Sequence, residues 1–204
     1  MRLAFVPEYR DAFKKVFGTD YPMLYDAWRA ISAYERTIVT DAKQVPFDRW
    51  LAGDKTALSD AAKRGFDLYN GKAGCIACHN GPLASDQKFY RTGVAAPKEF
   101  ASDETEQITF RWEVYQKGVP EKVYRTAKDD HGLYYVTKRD GDIGRFRTPS
   151  LRELKYTGPF MHNGAFETLD QVADFYDTGG GAGAEKLKPL GLTSADKKDL
   201  IAFP

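Results

Sequence analysis

The residues best suited to chemistry lie together near position 75. Both cysteines of this 204-residue chain are here, Cys75 and Cys78, and His79 follows directly. This C-x-x-C-H pattern is the signature of covalent c-type haem attachment. Two thiols at this spacing can form thioethers to the two vinyl groups of one porphyrin, while the next residue lies beneath the iron. We therefore predict one haem c, bound through Cys75 and Cys78, with His79 as the proximal ligand.

Other uses of a cysteine pair suit this sequence less well. A redox dithiol of the thioredoxin type sits at a helix N-terminus after a strand in a βαβ pattern, and no such pattern surrounds Cys75. A four-cysteine zinc site would need a second pair, and the sequence has two cysteines in all. A structural disulfide or a free thiol pair stays open as the alternative.

Composition sets the broad class of the protein. Apolar residues make up 42% of the chain, and 30 basic residues against 29 acidic ones give a net charge of +1. The charge predicts neither a nucleic-acid partner nor an anionic membrane partner. No membrane span and no signal-peptide core are expected, since the sequence has no sufficiently long apolar run. Haem c is normally attached outside the cytoplasm, so we expect a periplasmic protein that has lost a leader or begins partway through a longer chain.

Helices must position the C-x-x-C-H segment. A helix is predicted from the Ser59 cap to Asn70, and a last helix from Thr193 to Phe203, opened by a capping-box pattern. Gly65 costs its helix about 1 kcal/mol relative to alanine. Its expected use is to let the last helix cross closely. This pairing predicts an all-α, c-type cytochrome domain over residues 54–204, with an abrupt end that suggests truncation.

The first 53 residues are predicted to form a helical segment that precedes the haem domain. One helix begins near Pro7 and stops at Gly18. A second is expected over Tyr25–Thr37, with an apolar stripe that we expect to form core. The pattern breaks over Val45–Leu51, which predicts a linker or turn. The stripe consists of Ala27, Trp28, Ile31, Tyr34 and Ile38.

Long loops are expected between the helices of the haem domain. Residues 96–141 show little sustained periodicity, with short hairpin strands expected around Leu133–Thr137. Thr168 is expected to cap a helix that carries Tyr176 and ends at Gly179.

Several short motifs, taken in order, resemble the bacterial dihaem cytochrome c peroxidase and MauG superfamily. The resemblance covers most of the chain and corresponds to the C-terminal haem domain with its preceding helices. Members carry a further N-terminal haem domain with its own C-x-x-C-H, which this sequence does not contain. The motifs are Phe47-Asp48-Arg49, 53–59, 75–82, 147–152, 159–164 and 172–176.

The resemblance implies an oxidoreductase of the peroxidase type. This chain would be its electron-handling, charge-storing haem domain, needing a second haem domain upstream in the gene or in another subunit. A small redox protein would donate electrons, and no catalytic side chain is assigned within the chain itself. The alternative is a stand-alone mono-haem electron-transfer cytochrome without peroxidase activity.

Three residues compete as the sixth iron ligand: Met161, His162 and Tyr176. Spacing alone favours Met161, since methionine is the usual distal ligand of electron-transfer cytochromes c. The resemblance favours Tyr176, because it lies fourteen residues after His162, where MauG carries a tyrosine and the peroxidases a methionine. A buried structural tyrosine is the alternative for Tyr176.

The resemblance assigns roles to further residues. His162 would lie near the haem propionates, with a hydrogen-bonded core histidine as the alternative. Arg147 and Arg152 would pair with propionates unless they are surface charges. The backbone carbonyls of Thr157 and Pro159 would help to hold a calcium ion between two haems, with a further ligand from the other domain.

Overall fold

The computed structural model describes residues 2–96 and 102–203. The chain is mainly helical, which confirms the predicted all-α class, and it divides into two compact units, residues 1–54 and 55–204. Their status as separate domains stays a prediction. The helices are α1 Pro7–Phe17, α2 Leu24–Glu35, α3 Pro46–Leu51, α4 Asp60–Asn70, α5 Glu104–Gln116, α6 Glu121–Tyr124, α7 Tyr134–Thr137, α8 Leu169–Asp177 and α9 Ser194–Ala202.

The first unit contains α1 to α3. Helix α1 opens with Pro7 in its first turn and ends at Gly18, whose left-handed φ of 73° suits glycine. The linker expected over Val45–Leu51 is wrong from Pro46 onwards, because α3 occupies that stretch. Pro46 fixes the first turn, and the rings of Phe47 and Trp50 stack one turn apart, so local contacts favour a helix.

The apolar stripe of α2 does not form core within this unit, which corrects the prediction. Ala27 is buried, but Trp28 is 60% exposed and Tyr34 is 68% exposed. Ile31 and Ile38 are exposed as well. A unit of this size has too little chain to cover every apolar face that its helices present.

The second unit is organised by the crossing of α4 and α9, which confirms that prediction. The Ser59 hydroxyl caps α4 by accepting a hydrogen bond from the amide of Ala62. A Cβ at Gly65 would lie 2.0 Å from the backbone oxygen of Asp199, so only glycine allows this approach. Arg64 clamps the crossing through two hydrogen bonds to the Asp199 carboxylate, of 2.6 and 2.7 Å.

Helix α8 packs against α9 and carries Tyr176. Thr168 caps it in a capping box with Gln171, as its position predicted. Lys197 of α9 reaches two carboxylates of α8, Asp174 at 2.8 Å and Asp177 at 2.7 Å. The three helices α4, α8 and α9 thus form one frame.

The stretch predicted as loop between 96 and 141 contains helices α5, α6 and α7, so the loop prediction is wrong for these three helices. Residues 97–101 of this stretch lie outside the described residues. The hairpin strands expected at Leu133–Thr137 are also wrong, because Tyr134–Thr137 is helical. A buried cluster explains the difference, since long-range packing decides the conformation of such short segments. The cluster is formed by Val114, Val119, Ala127 and Tyr134.

A short antiparallel ribbon lies in the second unit. Strand β1 is Phe89–Tyr90 and strand β2 is Phe146–Arg147, with Phe89 opposite Arg147 and Tyr90 opposite Phe146. Across the described ranges, no helix combines the length and apolarity needed to span a membrane.

Candidate functional site

The C-x-x-C-H segment forms a tight turn directly after α4. Gly74 takes a left-handed φ of 63°, and Cys75–Ala77 then form a single 3-10 turn. The amide of His79 donates to the carbonyl of Cys75 at 2.9 Å and closes the turn. Both thiols are half-buried and free, so no disulfide joins them. The turn therefore presents two thiols and one imidazole from five consecutive residues.

His79 is oriented by backbone carbonyls. Its Nδ1 lies 3.1 Å from the oxygen of Ala84, and the carbonyl of Pro149 also lies against the ring. Burial lowers the pKa of His79, which favours the neutral imidazole. With the Nδ1 proton donated to a carbonyl, Nε2 keeps its lone pair for a metal, in the arrangement usual for metal-binding histidines.

The two cysteines differ from a reactive redox pair. Burial raises the pKa of Cys75 to about 11. Burial also raises the pKa of Cys78, with a smaller effect from Asp86. Redox-active dithiols have a lowered pKa, so the structure argues against the thioredoxin-like use of this pair.

The loop after His79 is tied down at several points. Asp86 donates its amide to the carbonyl of Cys78 at 2.7 Å and accepts the hydroxyl of Tyr90 at 2.8 Å. The hydroxyl of Tyr69 donates to the carbonyl of His79. Sequence reasoning missed the roles of Ala84, Asp86 and Tyr90. A motif search cannot find Ala84, because a carbonyl acceptor has no side-chain signature.

The ribbon connects this turn to the segment around His162. Side chains opposite each other in an antiparallel pair share a face, so Tyr90 and Phe146 lie on one side of the ribbon. Tyr90 holds Asp86, and Phe146 stacks on His162 with ring centroids 3.6 Å apart and 18° between planes. Although His162 is exposed overall, the burial of its ring lowers its pKa.

Tyr176 is the candidate sixth ligand that has an electrostatic link to the cysteines. Burial raises its pKa to about 12, and the nearby Cys75 and Cys78 add smaller contributions in the same direction. Within the described part of the chain, its hydroxyl has no hydrogen-bond partner. Met161 is half-buried and takes a left-handed φ of 72°, an uncommon conformation for a residue other than glycine. Ligation by either residue stays a prediction.

Three of the four remaining predicted residues are exposed. Arg147 is exposed on the ribbon, and the Nε of Arg152 donates to the carbonyl of Pro82 at 2.6 Å. Thr157 and Pro159 are exposed. The described ranges contain no cluster of three His, Cys, Asp or Glu side chains that could hold a metal ion. Propionate and calcium binding stay predictions.

A C-x-x-C-H turn framed by crossing helices defines a c-type cytochrome domain. A family model for di-haem cytochrome c peroxidase matches residues 1–56, the part of the chain before the cysteines. The chain is 61% identical to cytochrome-c peroxidase IdrP1 of Pseudomonas sp. strain SCT, across 100% of this chain and 54% of that protein. It is 34% identical to the methylamine utilization protein MauG of Methylorubrum extorquens, across 99% of this chain and 50% of that protein.

A solved structure supports the same relationship. The crystal structure of a MauG-like protein associated with microbial copper homeostasis matches with a TM-score of 0.68 and 28% identity, over 99% of this chain and 59% of that one. The chain belongs to the dihaem cytochrome c peroxidase and MauG superfamily. It spans about half the length of the relatives that it matches.

Superfamily membership implies haem c, and the donor set fits that group. Two free thiols flank a single turn, and the imidazole that follows them has its Nδ1 bonded to a carbonyl. A neutral histidine with a free Nε2 is the form that binds haem iron.

Proposed function

We propose that this chain is the electron-handling and charge-storing haem domain of a dihaem cytochrome c peroxidase or MauG-like enzyme. The observation that carries the proposal is the C-x-x-C-H turn with the Nδ1 of His79 held by Ala84. Such a turn has the donors for one covalently bound haem and one axial ligand. Its host fold belongs to a superfamily of haem-dependent peroxidases.

The residues of this chain have distinct parts in holding the group. Cys75 and Cys78 would form the thioethers, and His79 would bind the iron through Nε2. The carbonyl of Ala84 fixes the imidazole plane and raises the basicity of Nε2 by accepting the Nδ1 proton. When bound, the haem supplies reversible one-electron chemistry.

Tyr176 is proposed as a second ligand of the iron. Burial raises the pKa of its phenol to about 12, with smaller contributions from the nearby Cys75 and Cys78. Among the described residues its hydroxyl has no hydrogen-bond partner, which leaves the oxygen available to a metal. A phenolate oxygen is an anionic donor that stabilises oxidised iron more than reduced iron. This choice of ligand favours storage of oxidising equivalents over simple electron shuttling.

The rest of the proposal concerns the whole enzyme. Peroxide would react at a haem in the other half of the protein, and a small redox protein in the periplasm would supply electrons. His162, Arg147 and Arg152 are proposed to contact the propionates. The carbonyls of Thr157 and Pro159 are proposed to contribute to a calcium site whose other ligands come from the second haem domain.

Haem analysis of the purified 204-residue chain tests the first part of the proposal. After expression with a haem c maturation system, we expect intact mass to show one haem per polypeptide. The pyridine haemochrome spectrum should be that of a haem whose two vinyl groups have both become thioethers. A two-vinyl, non-covalent haem, or no haem, would refute the assignment.

Peroxide turnover tests the second part. The isolated chain should turn over little peroxide, because His79 and Tyr176 would both bind its iron and the reactive haem would lie elsewhere. Robust turnover by the pure chain would contradict this division of labour. If adding the other half of the protein also fails to produce peroxidase activity, the stand-alone electron-transfer cytochrome becomes the better account.

A further inference from the structure

Two segments of the second unit touch backbone to backbone near the end of helix α8. One contains Gly93 and follows strand β1, and the other contains Gly181 and follows α8. The amide of Gly181 donates to the carbonyl of Thr92 at 2.9 Å. The amide of Glu185 donates to the carbonyl of Arg91 at 2.8 Å. These two hydrogen bonds hold the segments together without any side chain.

The contact leaves no space for a side chain on either segment. A Cβ at Gly181 would lie 1.9 Å from the backbone oxygen of Gly93, and a Cβ at Gly93 would lie 2.5 Å from the carbonyl carbon of Gly181. Gly93 has a left-handed φ of 75°, whereas Gly181 does not have a positive φ. An alanine at position 181 would therefore meet a steric obstacle without backbone strain. Ordinary contact needs about 3.5 Å, so the segments would have to separate by about 1.5 Å.

The loop that contains Gly181 is tied to the last turn of α8, which carries Tyr176. The amide of Gly179 donates to the carbonyl of Tyr176 at 3.0 Å. The amide of Gly180 donates to the carbonyl of Phe175, also at 3.0 Å. Because Gly180 directly precedes Gly181, a shift of Gly181 would be passed to this turn.

The segment that contains Gly93 is tied to the C-x-x-C-H turn. Tyr90 lies two residues before Thr92, and its hydroxyl donates to the carboxylate of Asp86 at 2.8 Å. The amide of Asp86 donates to the carbonyl of Cys78 at 2.7 Å. The contact between the two glycines thus joins the helix that carries Tyr176 to the segment that holds the cysteines.

We propose that the contact between Gly93 and Gly181 positions Tyr176 to bind the iron of a haem attached at Cys75 and Cys78. The inference rests on the proposed function, since it needs Tyr176 as an iron ligand. Groups that form such a site must be held to within about 0.5 Å of their working geometry. The separation that an alanine would force is larger than this tolerance. Both glycines are positioning residues, because they act through Tyr176.

The test compares the ferric, haem-loaded wild type with Gly181→Ala by absorption and electron paramagnetic resonance spectroscopy. Most of the haem in Gly181→Ala should lose the phenolate ligand and give the spectrum of Tyr176→Phe, with a reduction potential raised to the same value. Intact mass should still show one covalent haem per chain. In Gly181→Ala/Tyr176→Phe, spectrum and potential should match those of Tyr176→Phe alone, because the ligand that the contact positions has already gone.

Val114→Ala is the control for a general loss of stability. Val114 is fully buried in the cluster with Val119, Ala127 and Tyr134, so its truncation leaves a cavity and lowers the Tm. It does not touch the contact between the glycines and should keep the wild-type spectrum and potential.

Insertion of one glycine between Gly180 and Gly181 is a second way to uncouple α8 from the contact. The insertion adds slack to the loop without adding a side chain, so it avoids the clash that alanine creates. It should lose the phenolate ligand as Gly181→Ala does. If Gly181→Ala takes up no haem, the insertion variant decides the question by the same spectra and potential.

The outcomes separate the inference from the proposal beneath it. If Tyr176→Phe changes the spectrum and potential while either loop variant retains its haem with both unchanged, the contact does not position the ligand. The inference is also overturned if Val114→Ala loses the ligand to the same extent, because any loosening of the fold would then suffice. If Tyr176→Phe itself changes nothing, the ligand assignment in the proposed function is refuted instead.

Discussion

Replacing Gly65 with alanine tests the helix crossing that positions the C-x-x-C-H turn. The added Cβ would lie 2.0 Å from the oxygen of Asp199 and 2.8 Å from the Cβ of Phe203. Backbone atoms of a packed helix cannot rotate away, so α9 would have to move by about 1 Å or more to restore ordinary contact distances. That movement would also stretch the hydrogen bonds between Arg64 and Asp199, now 2.6 and 2.7 Å.

The net cost combines two opposing effects. Alanine gains about 1 kcal/mol of helix propensity over glycine. Overpacking typically costs about 1–3 kcal/mol, and we place this site at the upper end because the obstacle is backbone. We therefore expect Gly65→Ala to lose about 2 kcal/mol of unfolding free energy, or about 4–8 °C in Tm for a chain of this length.

Thermal and urea unfolding, followed by far-UV circular dichroism on the haem-loaded chain, measures this cost. Gly141→Ala is the matched control, because a Cβ there meets no atom within 4 Å. The control should stay close to the wild type. If Gly65→Ala is as stable as the wild type or more stable, the close approach of α4 and α9 is not a constraint on the fold.

Two further predictions concern the iron and acid stability. Tyr176→Phe should give a five-coordinate, high-spin haem, or a haem whose iron is captured by water or Met161. Its reduction potential should rise because an anionic donor is lost. Met161→Leu should leave the absorption spectrum unchanged, and the reverse pattern of the two variants would favour Met161 as the ligand. Lys197 lowers the pKa of Asp177 in the folded protein by hydrogen bonding. The stability that this pair contributes is therefore present above the pKa of the unfolded state, about 4, and is lost as the pH falls through the lower pKa of the folded state. Urea midpoints of the wild type and Lys197→Met should therefore differ at pH 7 and approach each other near pH 2, whereas a constant difference would show that the charge pair contributes nothing.

The sequence was most informative where structure depends on local chemistry. Ser59, Thr168 and Thr193 each cap a helix, because one side-chain oxygen satisfies an amide only two or three residues away. Gly65 was interpretable for a similar reason, since a glycine inside a helix needs a cause. The spacing of Cys75, Cys78 and His79 carried the haem prediction before any fold was known.

Predictions that depend on distant partners fared worse. The stripe on α2 shows that a helix has an apolar face, but it cannot show what covers that face. Tyr134–Thr137 looks extended by composition, and the buried cluster with Val114 makes it helical. In the site, the hydrogen bond from the His79 imidazole to the carbonyl of Ala84 could not be predicted, because it depends on how the loop after His79 folds back on the ring.

The ribbon makes the site sensitive to chain length in a way that point substitutions do not show. Its strands are two residues long, so a slip of β1 by one position would put Phe89 in the place of Tyr90, and a slip of β2 would put Arg147 in the place of Phe146. The first slip would remove the phenol partner of Asp86, and the second would remove the aromatic neighbour of His162. A single-residue insertion or deletion next to either strand would thus disconnect one side of the site, so relatives that vary in length here should do so in pairs of residues or outside the ribbon.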